Sequence, residues 1–536
     1  SRHMLIGWDG GFYATFDRGA TWDHLNILAL GQFYHVCCDN RKPYNVYGGL
    51  QDNGSWGGPS HTLRGSGPIN DDWVFLNGGD GFVCRVDPFD PDIVYAESQG
   101  GAISRRNLRT GETRFVGIRG RQGSDPLRWN WNTPFILSSH NPGIFYAGAQ
   151  YVFRSIKRGE EAKMISPDLT ASKRGSITAI AESPRNPDLL WAGTDDGNLW
   201  ITRDGGLKWD NVLPKLRSAG LPGPRWVATI EPSRVVEGRC YVCLDAHRSD
   251  DDRPYLYVTE DFGATWKPIA SNLPAFGSTR VLREDYTNPS VLYCGTEFGI
   301  WVSVNRGAAW ANLNNNLPTV AVHEVGQPTT ASEIVVATHG RSLWVLDVNS
   351  IRQMSVRAGE GGASAKAVDP LKEPVTLFAP ATATRWKLDS SRGFPYSKDI
   401  RKFYGTNPTL GATFDYLLNA KAKSVSLKVT DVTGAVVREF RNTGNEVGFH
   451  RLQWNLSGGG GGGVGRRGAG GGGGPRAFGG GSVVAAGGYR VTLNVDGKEY
   501  NTALLVENDP KADPAAIITF DLPVPGGEEE ARDEQT

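Results

Sequence analysis

Five carboxylates draw attention in this 536-residue chain: Asp52, Asp80, Asp195, Asp196 and Glu297. Each sits in a turn next to a short β-rich run, among sequence neighbours that include arginine and tryptophan. Two carboxyl groups about 5 to 9.5 Å apart are enough to hydrolyse a glycosidic bond, one handling the proton and the other attacking or activating water. Asp80, in Asn77-Gly-Gly-Asp-Gly-Phe82, is the best single candidate acid, with Asp195 and Glu297 as the other candidate catalytic groups. Around them fall candidate ligand-binding residues: Gln51, Asp52, Asn53, Arg128, Trp129, Asn130, Gln150, Asp196, Arg225, Trp226, His339 and Arg341. Exposed tryptophan beside arginine and carboxylate suits a sugar, because aromatic faces stack on pyranose C–H groups. The same polar residues could equally bond turn amides, so each has a purely structural alternative.

What positions these residues is a repeat. Thr15-Phe-Asp17-Arg-Gly19-Ala-Thr-Trp22 returns around Asp204 and Trp209, around Asp261 and Trp266, and in weaker form around Asn305 and Trp310. The pattern Ser/Thr-x-Asp-x-Gly-x-x-Trp suits a tight hairpin. The acid accepts bonds from turn amides, glycine permits positive φ, and tryptophan packs between sheets. A strand anchor recurs at Met4, Tyr47, Tyr95, Tyr146, Trp191, Tyr241, Tyr293 and Val336, at roughly 40–50-residue intervals, the length of a four-stranded propeller blade. This predicts an all-β chain whose main body is a propeller of about seven four-stranded blades, or eight if an N-terminal partial blade closes the ring. Four residues past the anchors lie Trp8, Gln51, Gln99, Gln150, Asp195, Asp245 and Glu297, with His339 one residue earlier in the last blade. These are expected to ring one channel mouth. The loops entering the innermost strands add Gln32, His35, Arg280 and His323.

The expected organisation runs from a partial blade at 1–28, which reads as the end of a truncated upstream region, through the propeller at 29–354 and a linker at 355–372. A small antiparallel β-sandwich follows at 373–509, interrupted by a glycine-rich insertion at 457–482, and an acidic tail at 510–536 closes the chain. The sandwich is read from alternating strands such as Ser424-Val-Ser-Leu-Lys-Val-Thr430 and Tyr489-Arg-Val-Thr-Leu-Asn-Val495.

Lysine plus arginine equals aspartate plus glutamate at 57 each, which argues against a nucleic-acid partner. No apolar run reaches the roughly 20 residues of a membrane span. No metal or cofactor motif is recognisable, and none is expected. Cys240-x-x-Cys243 falls on a strand, where residues three apart face opposite ways, so these cysteines read as small buried apolar residues, as do Cys84 and Cys294. One or two disulfides are left open. Ser249-Asp-Asp-Asp252 matches no calcium-loop spacing and reads as a solvated loop.

The turn pattern resembles the Asp-box, or BNR, repeat of sialidases, sortilin-type receptors and two-propeller xyloglucan hydrolases. With Gly31-Gln-Phe-Tyr-His-Val36, Tyr47-Gly-Gly-Leu-Gln-Asp-Asn53 and Ala337-Thr-His-Gly-Arg341, the chain resembles bacterial exported sortilin-like or glycosyl-hydrolase-like repeat proteins carrying a C-terminal immunoglobulin-like sandwich. That resemblance implies a secreted, periplasmic or cell-surface location, with the missing N-terminal part packing against the propeller. It implies first a peptide or glycan held at the channel mouth. The alternative is a glycoside hydrolase acting on β-glucans with paired carboxylates, this chain carrying half of the site; a second alternative is a non-catalytic assembly scaffold. Enzyme status is left open. The Arg-Ile-Pro element of sialidases is absent, which argues against that activity.

Overall fold

The computed structural model describes residues 2–8, 11–25, 27–120, 125–356, 368–389, 403–441, 443–458 and 483–511. The acidic tail beyond 511, nearly all of the glycine-rich insertion and much of the linker lie outside the described residues. Seven antiparallel sheets follow one another at 33–77, 81–115, 135–164, 177–211, 226–268, 279–312 and 322–347, here called blades 1 to 7. The first six have four strands and blade 7 has three. After Asp347 the chain makes a short turn of 3-10 helix at Ile351–Gln353 instead of a fourth strand. There Arg352 is held by Asp285 and Gln353 receives the amide of Ala379 from the following domain.

Packing follows directly from the alternation of side chains along each strand. Seven apolar clusters lie at the seven seams between neighbouring blades. Blades 1 and 2 bury Tyr47, Leu76, Cys84 and Val94 together, and blades 4 and 5 bury Trp191, Ile201, Val227 and Val242. The closing seam joins Val335 and Ala337 of blade 7 to Phe33, Val36 and Val46 of blade 1. The ring therefore closes with seven blades. The sheet formed by Met4–Trp8, Gly11–Thr15 and Asp23–His24 stays outside it, with Leu5, Trp8 and Trp22 exposed.

At several seams close approach of the blades depends on a glycine two residues after the strand anchor, while Glu97, Cys243 and Thr338 hold that position at others. A Cβ on Gly49 would lie 2.2 Å from the backbone of Gly81, and one on Gly193 would lie 2.3 Å from Val227 Cγ1. Gly295 meets the Val322 carbonyl in the same way, at 2.5 Å. The next blade's inner strand occupies the space a side chain would need.

The repeated turns are built as their residue types demand. Thr259 Oγ1 donates to Asp261 Oδ1 at 2.8 Å and accepts from the Gly263 amide at 2.9 Å, while Asp261 Oδ1 accepts from the Thr265 amide at 2.8 Å. Thr15, Thr202 and Ser303 repeat this geometry with Asp17, Asp204 and Asn305. A fifth such turn, at Ser155 with the Gly159 amide donating to its Oγ at 3.1 Å, was not expected, because Lys157 stands where the acid would be. Trp209, Trp266 and Trp310 are buried in seams, whereas Trp22 is 39% exposed.

All six cysteines are free. Cys240 packs into the seam between blades 4 and 5, and Cys243 into the seam between blades 5 and 6, on opposite faces of one strand. The C-terminal domain is a sandwich of a three-stranded sheet (Val375–Leu377, Ala412–Leu418, Gly448–Trp454) against a five-stranded one. It is not wholly antiparallel: Ala383–Arg385 crosses from the first sheet and runs parallel to Lys498–Asn508. The sandwich is fastened at blade ends, with Arg451 bridging Asp415 and Asp347, Ser350 bonded to Asp415, and Asn407 bonded to the blade 1 loop at Ser66. These anchor points are at the face opposite Tyr34, Gln51 and Phe82.

Candidate functional site

The innermost strands share a device that residue type alone does not reveal. In six of the seven blades the pairing with the second strand slips near the start of the inner strand, between Phe33 and His35, Gly81 and Cys84, Ile177 and Ala179, Val227 and Thr229, Thr279 and Val281, and Val322 and Glu324. A β-bulge turns the extra residue away from the ladder and re-aims it. The residues so placed include Tyr34, Phe82, Thr178, Ala228, Arg280 and His323, and all of them line a central cavity of about 770 Å³.

At the mouth this produces an aromatic wall. Tyr34 packs on Phe82 (ring centroids 4.5 Å apart) and on His339 (4.8 Å), His339 stacks on His323 (4.4 Å), and Phe82 meets Trp131 edge-on at 6.5 Å. Trp131 is 57% exposed. Across the opening, the Arg248 guanidinium lies 4.8 Å above the Trp226 ring. Beside it, Arg280 donates from Nη1 to Asp245 Oδ2 and from Nε to Glu297 Oε2 at 3.0 Å, and His247 Nδ1 lies 2.7 Å from Asp245 Oδ1. Burial holds His323 well below the ordinary histidine range and lowers His339, so both rings are neutral at pH 7. Burial, with Asp80 next, raises the Tyr34 phenol.

Deeper in the channel, a string of paired charges crosses five blades. Arg85 Nη1 donates to His35 Nε2 at 2.6 Å, Glu324 Oε2 lies 3.3 Å from the same nitrogen, and Arg283 bridges Glu324 (2.8 and 2.6 Å) to Glu231 (3.0 Å). Burial, with Arg85 adding to it, lowers His35 to about 4. Burial alone would raise Glu324, but Arg283 and His35 together hold it well below the usual carboxylate range.

The sequence-nominated residues divide into two groups. Most of the polar positions four residues past the anchors hold the loops that enter the inner strands. Asp80 is buried, and its Oδ1 accepts from Gln51 Nε2 and the Asp52 amide, each at 2.9 Å, while its own amide donates to Gln99 Oε1 at 2.9 Å. Asp195 accepts from the amide and hydroxyl of Ser176 (2.9 and 2.7 Å), and Asp196 from the amides of Ala171 and Ser172, both 2.8 Å. Gln150 accepts the Arg128 amide at 2.7 Å, and Arg128 pairs with Asp168 at 2.7 Å. Asn53 bonds back to the Gln51 carbonyl, Asn130 is buried against Ser176, Arg225 pairs with Asp251, and Trp129 packs beside Gly101. Arg341 is exposed, and its carbonyl accepts the indole of Trp344. Trp8 lies on the separate N-terminal sheet. Trp226, Glu297, His339, Asp245, Arg280 and His323 converge on the mouth, where Trp131 joins them. Tyr34, Phe82 and Arg248 are additions that the repeat alignment did not single out.

Among known proteins, no family model matches the chain. It is 26% identical over 179 residues to an oligoxyloglucan-reducing end-specific xyloglucanase of Emericella nidulans, covering 27% of this chain and 20% of that enzyme. It is 27% identical over 164 residues to mouse sortilin, covering 30% of this chain and 18% of sortilin. The chain thus spans about a fifth of the length of these curated relatives. Among solved structures, the GH74 xyloglucanase of Xanthomonas campestris aligns over 61% of this chain and 53% of its own, at 16% identity and a TM-score of 0.46. The extracellular domain of a hybrid two-component system of B. thetaiotaomicron aligns over 94% of this chain and 61% of its own, at 12% identity and a TM-score of 0.44. The chain is a β-propeller protein similar to xyloglucanases and to sortilin.

Proposed function

We propose that this chain is an exported, glycoside-hydrolase-like propeller that binds a β-linked glucan across its channel mouth. The observation that carries the proposal is the aromatic rim, Trp131 and Tyr34 on one side, both packed on the buried Phe82, and Trp226 on the other, set beside the Asp245–Arg280–Glu297 group. Pyranose faces stack on such rings, and Glu297, which Arg280 positions from its place against the buried Asp245, bonds the hydroxyls. Asp245 and Glu297, bridged by one guanidinium, are the candidate carboxylate pair. Asp80 and Asp195 serve the turns.

Binding carries this reading further than hydrolysis does. The carboxyl groups that burial raises, Glu97, Glu284, Glu333 and Asp347, do not line the channel cavity, so none of them stands at the mouth as a proton donor. Capture of a charged peptide is less well supported, because Arg85, Glu324, Arg283 and Glu231 are already paired with one another or with His35.

The test is a tryptophan-fluorescence titration with a soluble β-1,4-glucan, followed by a reducing-end assay on the same mixtures. Wild-type protein binds, and Trp131→Ala weakens binding about tenfold. Reducing ends released by wild type and abolished in Glu297→Gln extend the reading to hydrolysis. Wild-type protein that leaves the glucan unbound overturns it.

A further inference from the structure

A second cavity of about 290 Å³ opens beside the mouth, lined by His247, Asp252, Phe276, Gly277, Arg280, Glu297 and Phe298. Arg280 lines this cavity and the channel alike, so one side chain separates the two. One wall is apolar. Phe276, on the loop entering blade 6, and Phe298, in the turn after that blade's second strand, stack with centroids 5.3 Å apart and planes 16° from parallel. They are 64% and 40% exposed. Single exposed aromatics are ordinary on a protein surface. In this stacked pair the more exposed ring, Phe276, keeps its outer face free and is held in place by Phe298 behind it before any ligand arrives.

The backbone is shaped to keep the pair together. Gly277 has φ +120, a region in which L side chains are strained, and a Cβ there would lie 2.9 Å from Phe298 Cδ2. The Gly277 amide is tied to the Asp252 carbonyl at 2.9 Å, which fixes the loop that carries Phe276. The facing wall is polar. His247 is oriented through Nδ1 by Asp245, and among the described residues its Nε2 has no protein partner. Glu297 gives Oε2 to Arg280, and Oε1 faces no described donor.

Resting on the glucan reading above, we infer that this cavity is a separate subsite for a further sugar ring of the same chain. The ring's C–H face lies on the outer face of Phe276, which Phe298 backs, and its hydroxyls bond Glu297 Oε1 and His247 Nε2. The chemistry fits a neutral sugar. An apolar face opposite one acceptor-only group and one imidazole suits a ring with hydroxyls on its edge, and the volume suits one ring.

The experiment is calorimetric titration with β-1,4-linked gluco-oligosaccharides of increasing length. For wild type, affinity rises with length until the second subsite is filled. Phe276→Ala and Phe298→Ala each remove that last gain, binding the longest oligosaccharide about fivefold more weakly while leaving the shortest unchanged. Gly277→Ala does the same with both rings retained, because it displaces Phe298. Trp131→Ala weakens all lengths. If the phenylalanine variants keep the full length dependence while Trp131→Ala weakens every oligosaccharide, the subsite is refuted and the mouth reading stands. If no oligosaccharide binds wild type, both are refuted.

Discussion

His35 is the most informative residue to perturb, because it sits on the closing seam of the ring. It belongs to blade 1, its partner Glu324 to blade 7, and the Arg283–Glu231 continuation to blades 6 and 5. A histidine lowered from 6.5 to about 4 stays neutral in the folded protein while the unfolded chain takes up a proton. The unfolded state therefore binds more protons between these two values. Stability from this residue is fully present above pH 6.5 and is lost as pH falls toward 4. At about 1.4 kcal/mol per pH unit, the loss is on the order of 3 kcal/mol. Glu324, held low by Arg283 and His35, adds to the loss below its ordinary 4.5. The assay is a series of urea midpoints for the propeller transition from pH 7.5 to 4.5, for wild type and His35→Gln. The wild-type curve falls more steeply through pH 6.5 to 5, and the two curves converge at the acid end. Parallel curves would refute the assignment of a neutral, buried His35 at the seam.

Other expectations follow from the same packing. Glu324→Gln leaves Arg283 and Arg85 with less compensation in a buried site and costs about 3–5 kcal/mol at pH 7, read as a lowered urea midpoint. Trp310→Ala, emptying a buried seam position, costs about 3–5 kcal/mol, whereas Trp22→Ala on the exposed N-terminal sheet leaves the propeller transition in place. Gly49→Ala forces a Cβ onto the Gly81 backbone at 2.2 Å and destabilises by about 1–3 kcal/mol. Asp415→Ala removes the acceptor shared by Arg451 and Ser350, so calorimetry of the variant shows propeller and sandwich melting as two separated transitions.

The ring was legible because its turns are chemically demanding. Thr259, Asp261, Gly263 and Trp266 each do something few other residues can do there, and the spacing repeats. The repeat unit was legible from the anchor period, but the choice between seven and eight blades was not, because the N-terminal strands carry an anchor and a turn of the same kind; the closing seam of Val335 and Ala337 on Phe33 and Val36 settles it. The site was read less completely. Position in the repeat placed Asp80, Asp195 and Gln150 near the mouth, but a loop amide and a ligand make the same demand on a polar side chain, and here loop amides or side chains take those groups. Tyr34 and Phe82 were overlooked because a bulge is a property of register, which the order of residues does not display. The channel charges went unseen as a set because Arg85, Glu231, Arg283 and Glu324 come from four separate strands. Ser155 escaped notice because its turn dispenses with the acid and keeps only hydroxyl and glycine.

The central claim is that the aromatic mouth is a sugar-binding surface. Isothermal titration of the full chain with a β-1,4-linked gluco-hexasaccharide tests it most directly, with Trp131→Ala and Trp226→Ala measured alongside. The account predicts saturable binding by wild type, weakened about tenfold by either substitution, with the unfolding transitions of both variants unchanged. Binding that both substitutions leave at wild-type strength would place the ligand elsewhere and contradict it.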